Sequence, residues 1–137
     1  MRSILSVAVL GVVGILLGGC GGDTIPRVEV QGEVKLDGVP LNGGSVTFIP
    51  VGSGPAAGAT IENGHYAITE DKGPSPGEYR VEIRSPKPTG KQVVGTDGVT
   101  LEEQFEEAVP AQYNTKSELK ATLVSGQKNQ VDFDLKK

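Results

Sequence analysis

Residues 78–84 alternate without a break: Tyr79, Val81 and Ile83 against Glu78, Arg80, Glu82 and Arg84. A side-chain period of two is what a pleated strand with one dry and one wet face requires, whereas a helix repeats its faces about every 3.6 residues. The same pattern recurs along the chain. In residues 28–36, Val28, Val30, Gly32, Val34 and Leu36 alternate with Glu29, Gln31, Glu33 and Lys35. Residues 45–50 place Val46 and Phe48 on one face before Pro50 ends the ladder, since proline has no N–H to donate. Short strands follow at 58–62 and 65–69, and again at 118–124 and 130–135. Between them stand Asp37-Gly38, Asn63-Gly64 and Ser125-Gly126, dipeptides that supply the positive φ angles of tight turns.

Seven such strands in 137 residues, with 20 Gly and 9 Pro, predict an all-β domain: a seven-stranded antiparallel β-sandwich of Greek-key order. Its inward set is Val28, Val30, Val34, Leu36, Val46, Phe48, Ile61, Tyr66, Ile68, Tyr79, Val81, Ile83, Leu119, Leu123, Val131, Phe133 and Leu135. Residues 85–117 form a long loop that such a sandwich does not need. Inside it, Leu101 and Phe105 stand one helical turn apart, which predicts a short docked helix with Glu102, Glu103, Glu106 and Glu107 on its wet faces. Tyr113 is expected to pin the end of the loop to the sandwich.

Composition narrows the function. A formal charge of −4 without a basic cluster argues against nucleic acid as a partner. One Cys and one His cannot build a zinc cluster or a disulfide framework, and no metal or cofactor is expected. His65, beside the Asn63-Gly64 turn and out of phase with Tyr66, is expected to face water. Gly52-Ser53-Gly54-Pro55 lacks the Lys and helix of a phosphate loop and reads as a turn.

The first twenty residues, MRSILSVAVLGVVGILLGGC, carry Arg2, then an apolar run from Ile4 to Leu17, too short to span a bilayer but right for a secretory leader. The run ends Leu17-Gly18-Gly19-Cys20, which resembles the lipobox of bacterial lipoproteins. That resemblance implies removal of residues 1–19 by cleavage between Gly19 and Cys20, diacylglycerol on the Cys20 sulfur, and acylation of the new amine. Residues 20–27 become the lipidated end and tether, and 28–137 the domain. Each buried methylene contributes about 0.8 kcal/mol, so two or three acyl chains hold a small domain at the bilayer. Gly21, rather than Asp, follows the Cys; by the family's rules this points first to the outer membrane facing the periplasm, and second to the cell surface.

Beyond the lipobox, Val30 to Leu41 reads V-x-G-x-V-x-L-D-G-x-P-L, followed by V-T-F-I-P, then P-G-E-Y-R-V-E-I at Pro76 to Ile83, V-P-A-Q-Y-N at Val109 to Asn114 and a final V-D-F-D-L. This series resembles small bacterial lipoproteins built on a carboxypeptidase regulatory-like domain of transthyretin (prealbumin)-like fold. These motifs are scaffold motifs and bring no catalytic residue. The enzymatic branch of that superfamily, the hydroxyisourate hydrolases, uses several His and a terminal Tyr-Arg-Gly-Ser; a single His and a terminal DLKK do not meet that pattern. The expectation is a non-enzymatic, membrane-anchored binding or structural module of the cell envelope, meeting an envelope protein, a cell-wall polymer or a glycan. Two alternatives stand beside it: a small carbohydrate-active or other hydrolase using Glu102, Glu103, Glu106 and Glu107, and an envelope assembly subunit lending a strand edge. Tyr113 and the four glutamates are the candidate ligand contacts.

Overall fold

The computed structural model describes residues 25–137; Gly19, Cys20 and the expected leader, residues 1–19, lie outside them. The described chain is all-β and builds three sheets. Strand β1 (Val30–Leu36) is the centre of the first. On one edge it pairs antiparallel with β2 (Val39–Pro40) and β5 (His65–Ile68). On the other edge it pairs in parallel with β10 (Asn129–Gln130) and β11 (Phe133–Leu135). The second sheet is antiparallel throughout, in the order β4 (Ala57–Thr60), β3 (Ser45–Pro50), β6 (Gly77–Arg84) and β9 (Leu119–Leu123). The third is a ribbon of β7 (Pro86–Val94) and β8 (Leu101–Glu107).

The first two sheets share one core. Phe48 of the second sheet meets Tyr66 of the first with ring centroids 6.0 Å apart, and meets Tyr79 edge-on at 6.2 Å. Alternation places the inward residues correctly: all seventeen expected positions are buried, except that Leu36, Leu119 and Val131 are only partly so. Leu41 and Val109 join them from segments without a period, and Ala121 joins in phase with Leu119 and Leu123. The Asp37-Gly38 and Asn63-Gly64 turns form as expected, with φ of 51° and 80° in the first and 50° and 79° in the second.

Three expectations are overturned. The body is not purely antiparallel, because the chain's last two strands run alongside β1 in the same direction. Residues 85–117 are not one loop: residues 86–107 form the β7–β8 ribbon and the turn at its tip. And residues 101–107 are a strand rather than a helix, with Leu101 and Phe105 exposed instead of docked.

The parallel pairing turns on Gly32. Asn129 N–H donates to the Glu29 carbonyl at 3.0 Å and Val131 N–H to the Gln31 carbonyl at 2.8 Å. In a regular parallel ladder the next bond would run from Glu33 N–H to the Val131 carbonyl. That carbonyl instead swings over Gly32 and accepts the Tyr66 hydroxyl at 2.6 Å, while the Asp132 carboxylate takes the Glu33 N–H at 2.8 Å. Thus the break between β10 and β11 leaves no backbone donor at Glu33 unsatisfied. Only glycine fits beneath it, because a Cβ at residue 32 would run into the Val131 carbonyl and crowd the Tyr66 ring.

Gly32→Ala is therefore expected to lower stability by about 2 kcal/mol, through overpacking against backbone. Gly38→Ala, at a positive φ with open space around it, is expected to cost nearer 1 kcal/mol, from backbone conformation alone. Urea midpoints of the two variants, compared with the parent, check the order.

Candidate functional site

Strand β6 does not stop at the edge of the body. After the buried Ser85 it continues as β7, so that the ribbon leaves the two-sheet body as an arm. The arm and the N-terminal end of the domain sit at opposite poles. Val28 N–H donates to the Pro74 carbonyl at 2.9 Å and Arg27 to the Asp71 carbonyl at 3.1 Å, beside the start of β6. Arg84, at the end of β6, lies opposite Ser45 and next to the 41–44 segment at the far end of β1.

The base of the arm is fixed by polar contacts. Ser85 donates its hydroxyl to the Gly43 carbonyl at 2.8 Å, and its N–H to the Glu107 carboxylate at 2.6 Å. The same carboxylate oxygen takes Val109 N–H at 3.1 Å, and Lys87 donates to the Asn42 carbonyl. Where the chain returns, buried Asn114 donates to the carbonyls of Val109 and Pro110 at 3.1 and 3.3 Å, and its own oxygen accepts Thr115 N–H at 2.8 Å. Tyr113 is half-buried against the core, and its hydroxyl accepts Lys136 N–H at 3.0 Å.

Register assigns the faces of the arm. Val94 pairs with Leu101 and Pro88 with Phe105, which makes one face largely apolar, with Gln92 and Glu103 between the two pairs. Lys87 pairs with Glu106 and Val93 with Glu102 on the other face. The four glutamates are thus divided between two faces, Glu103 and Glu107 on one, Glu102 and Glu106 on the other. Leu101 and Phe105 are 59% and 56% exposed, so the apolar face is open to water.

The tip is a structured turn. Asp97 accepts Val99 N–H at 2.9 Å and Thr100 N–H at 2.8 Å, as well as the Thr100 hydroxyl. The Thr100 hydroxyl and these amides lower the Asp97 carboxyl to about 2. Val99, at 84% exposure, crowns the turn.

A second surface, a shallow polar groove, lies over β1 and β5. Its side chains form a ladder: Gln31 donates to Gln130 at 3.0 Å, and Gln130 donates to Asp132 at 2.8 Å. His65 Nδ1 stands 3.8 Å from Glu33. The Glu33 amide, then Gln130, holds the Asp132 carboxyl below its ordinary value. Burial pushes the Tyr66 phenol up, and the Asp132 charge adds to that. Glu33 and Asp132 were not singled out from sequence; the signal was that Gln31, Glu33, Gln130 and Asp132 all fall on the outward phase of neighbouring strands. No group of three or more His, Cys, Asp or Glu among the described residues is arranged to hold a metal, and no described helix is long and apolar enough to cross a membrane.

Compared with known proteins, the chain matches no family model, no curated protein and no solved structure.

Two outcomes follow for the arm. Asp97, whose folded carboxyl lies below the unfolded value of about 3.9, stabilises the tip above that value and loses this contribution as pH falls through about 2. NMR titration should place the Asp97 midpoint near the lower figure and show Val99 and Thr100 amide shifts following it. Glu107→Ala leaves the buried Ser85 N–H without its acceptor; faster hydrogen exchange is expected across 85–109 and unchanged exchange in β1.

Proposed function

We propose that the chain is a membrane-anchored lipoprotein of the bacterial cell envelope. In this reading, Cys20 carries the acyl chains and residues 28–137 form a non-enzymatic, transthyretin-like β-sandwich of Greek-key order. The module binds or spaces an envelope protein, a cell-wall polymer or a glycan, and acts from the outer membrane facing the periplasm or from the cell surface.

One observation carries the reading: the described domain begins a few residues after a lipobox-like Leu-Gly-Gly-Cys, and its arm leaves from the opposite pole. An anchor at residue 20 would place residues 25–28 toward the lipid and aim the ribbon away from it. At about 3.3 Å per residue, the seven residues of β8 set the reach of the arm at roughly 20 Å beyond the body, because β7 is bulged between Pro88 and Gln92; that suits an element meant to meet something at a distance from the bilayer. The carboxylates of β8 support binding better than hydrolysis. They are exposed and split between faces, whereas general acid–base pairs need a water-excluding cleft.

Intact mass of the membrane-extracted protein tests the anchor. The expected mass is that of residues 20–137 plus a diacylglycerol and one further acyl chain; a chain still bearing residues 1–19, or an unmodified thiol, would overturn it. Cys20→Ser is expected to shift the protein out of the acylated, membrane-extracted fraction, as read by fractionation and mass together.

A further inference from the structure

From the edges of the arm we infer that β8 is a docking strand for an extended, basic segment of another protein, which adds to it as a third strand with lysines or arginines alternating with apolar residues. The inference deepens the envelope-module reading, taking from it only where the partner is met.

The two edges of the ribbon are built differently. Ala108 N–H donates to the Ser85 carbonyl at 3.1 Å, Thr89 bonds the Gln104 carbonyl at 3.1 Å, and Gly95 N–H donates to the Thr100 carbonyl at 2.7 Å. These contacts fix the phase of the ladder: even-numbered backbone groups of β8 turn toward β7, and those of Leu101, Glu103, Phe105 and Glu107 turn outward. By the same phase, Pro86 and Pro88 face outward from β7, where proline costs the ladder nothing and removes two donors from the free edge. That is how natural sheets blunt an edge. Strand β8 has no proline, no bulge and no neighbour but β7 among the described residues. The β7 edge is closed at its body end, whereas the β8 edge is open along its length.

Side chains along the open edge specify what fits. Leu101 and Phe105 offer apolar contacts on one face, with Glu103 between them, and Glu102 and Glu106 offer charge on the other. Opposite charges directly across a strand pair attract and like charges repel, so the complementary strand is basic on one face and apolar on its other. A second copy of this chain is a poor occupant. Its β8 would set glutamate against glutamate, and its β7 edge lacks the donors at Pro86 and Pro88.

The test uses the full chain in nonionic detergent and a fluorescent synthetic peptide of about eight residues alternating lysine with valine, a length set by that of β8. Saturable binding that weakens with added salt is expected. Glu103→Pro, which removes an outward N–H as Pro88 does on the opposite edge, should abolish binding while the circular dichroism spectrum stays unchanged. Glu102→Lys/Glu106→Lys should weaken binding at least tenfold, as two cross-strand attractions become repulsions. Loss of binding by Glu103→Pro with retained dichroism separates edge pairing from misfolding. Binding that survives Glu103→Pro, equal binding of a glutamate–valine peptide, no binding at all, or self-association through β8 would overturn the proposal. None of these results bears on acylation, so this inference and the anchor reading fail separately.

Discussion

The fold depends on β1 being paired along both of its edges, and that rests on a carbonyl lying where a side chain would otherwise be. Because residue 32 has no Cβ, the Val131 carbonyl can leave the ladder, and the Tyr66 ring can cross the gap to bond it. The Asp132 carboxylate then restores the acceptor that Glu33 lost. Three segments far apart in sequence, around Gly32, Tyr66 and Val131, thereby seat the last strands beside the first and close the core over Phe48. Buried Asn129 reinforces the same seam, donating to the Glu29 carbonyl and accepting Val124 N–H at 2.9 Å.

Much of this was legible because burial on one face imposes a period on the sequence. Val30, Val34, Val46, Phe48, Val81 and Ile83 alternate because their neighbours must stay wet, and all are fully buried. Alternation says which face is inward; it says nothing about which strand lies alongside or in which direction it runs. The parallel seam was therefore invisible, although Gly32 inside an alternating run marked a place where backbone comes close. Leu41 and Val109, buried from segments without a period, could not be recognised either.

The arm was missed for a related reason. With both faces in water, neither β7 nor β8 has to separate apolar from polar residues, so the signal that found the other strands is absent. Spacing of four between Leu101 and Phe105 fits one helical turn and one strand face equally well, and the glutamates and glutamine between them are good helix formers. Pairing with β7, not local preference, decided the outcome. The candidate residues of this segment therefore lie on a ribbon whose geometry the sequence did not disclose, whereas Tyr113 does contact the body as its position suggested.

The placement of the two ends of the domain has a mechanical side. A pull applied to residue 25 and to the ribbon would enter along β1 and leave along β6, parallel to the strands and from opposite poles. The two strands belong to different sheets and share no ladder bonds, so the load passes between layers through the core. Yielding would then require the two layers to slide over the packed rings of Phe48, Tyr66 and Tyr79, a shear geometry that resists tension far better than peeling an edge.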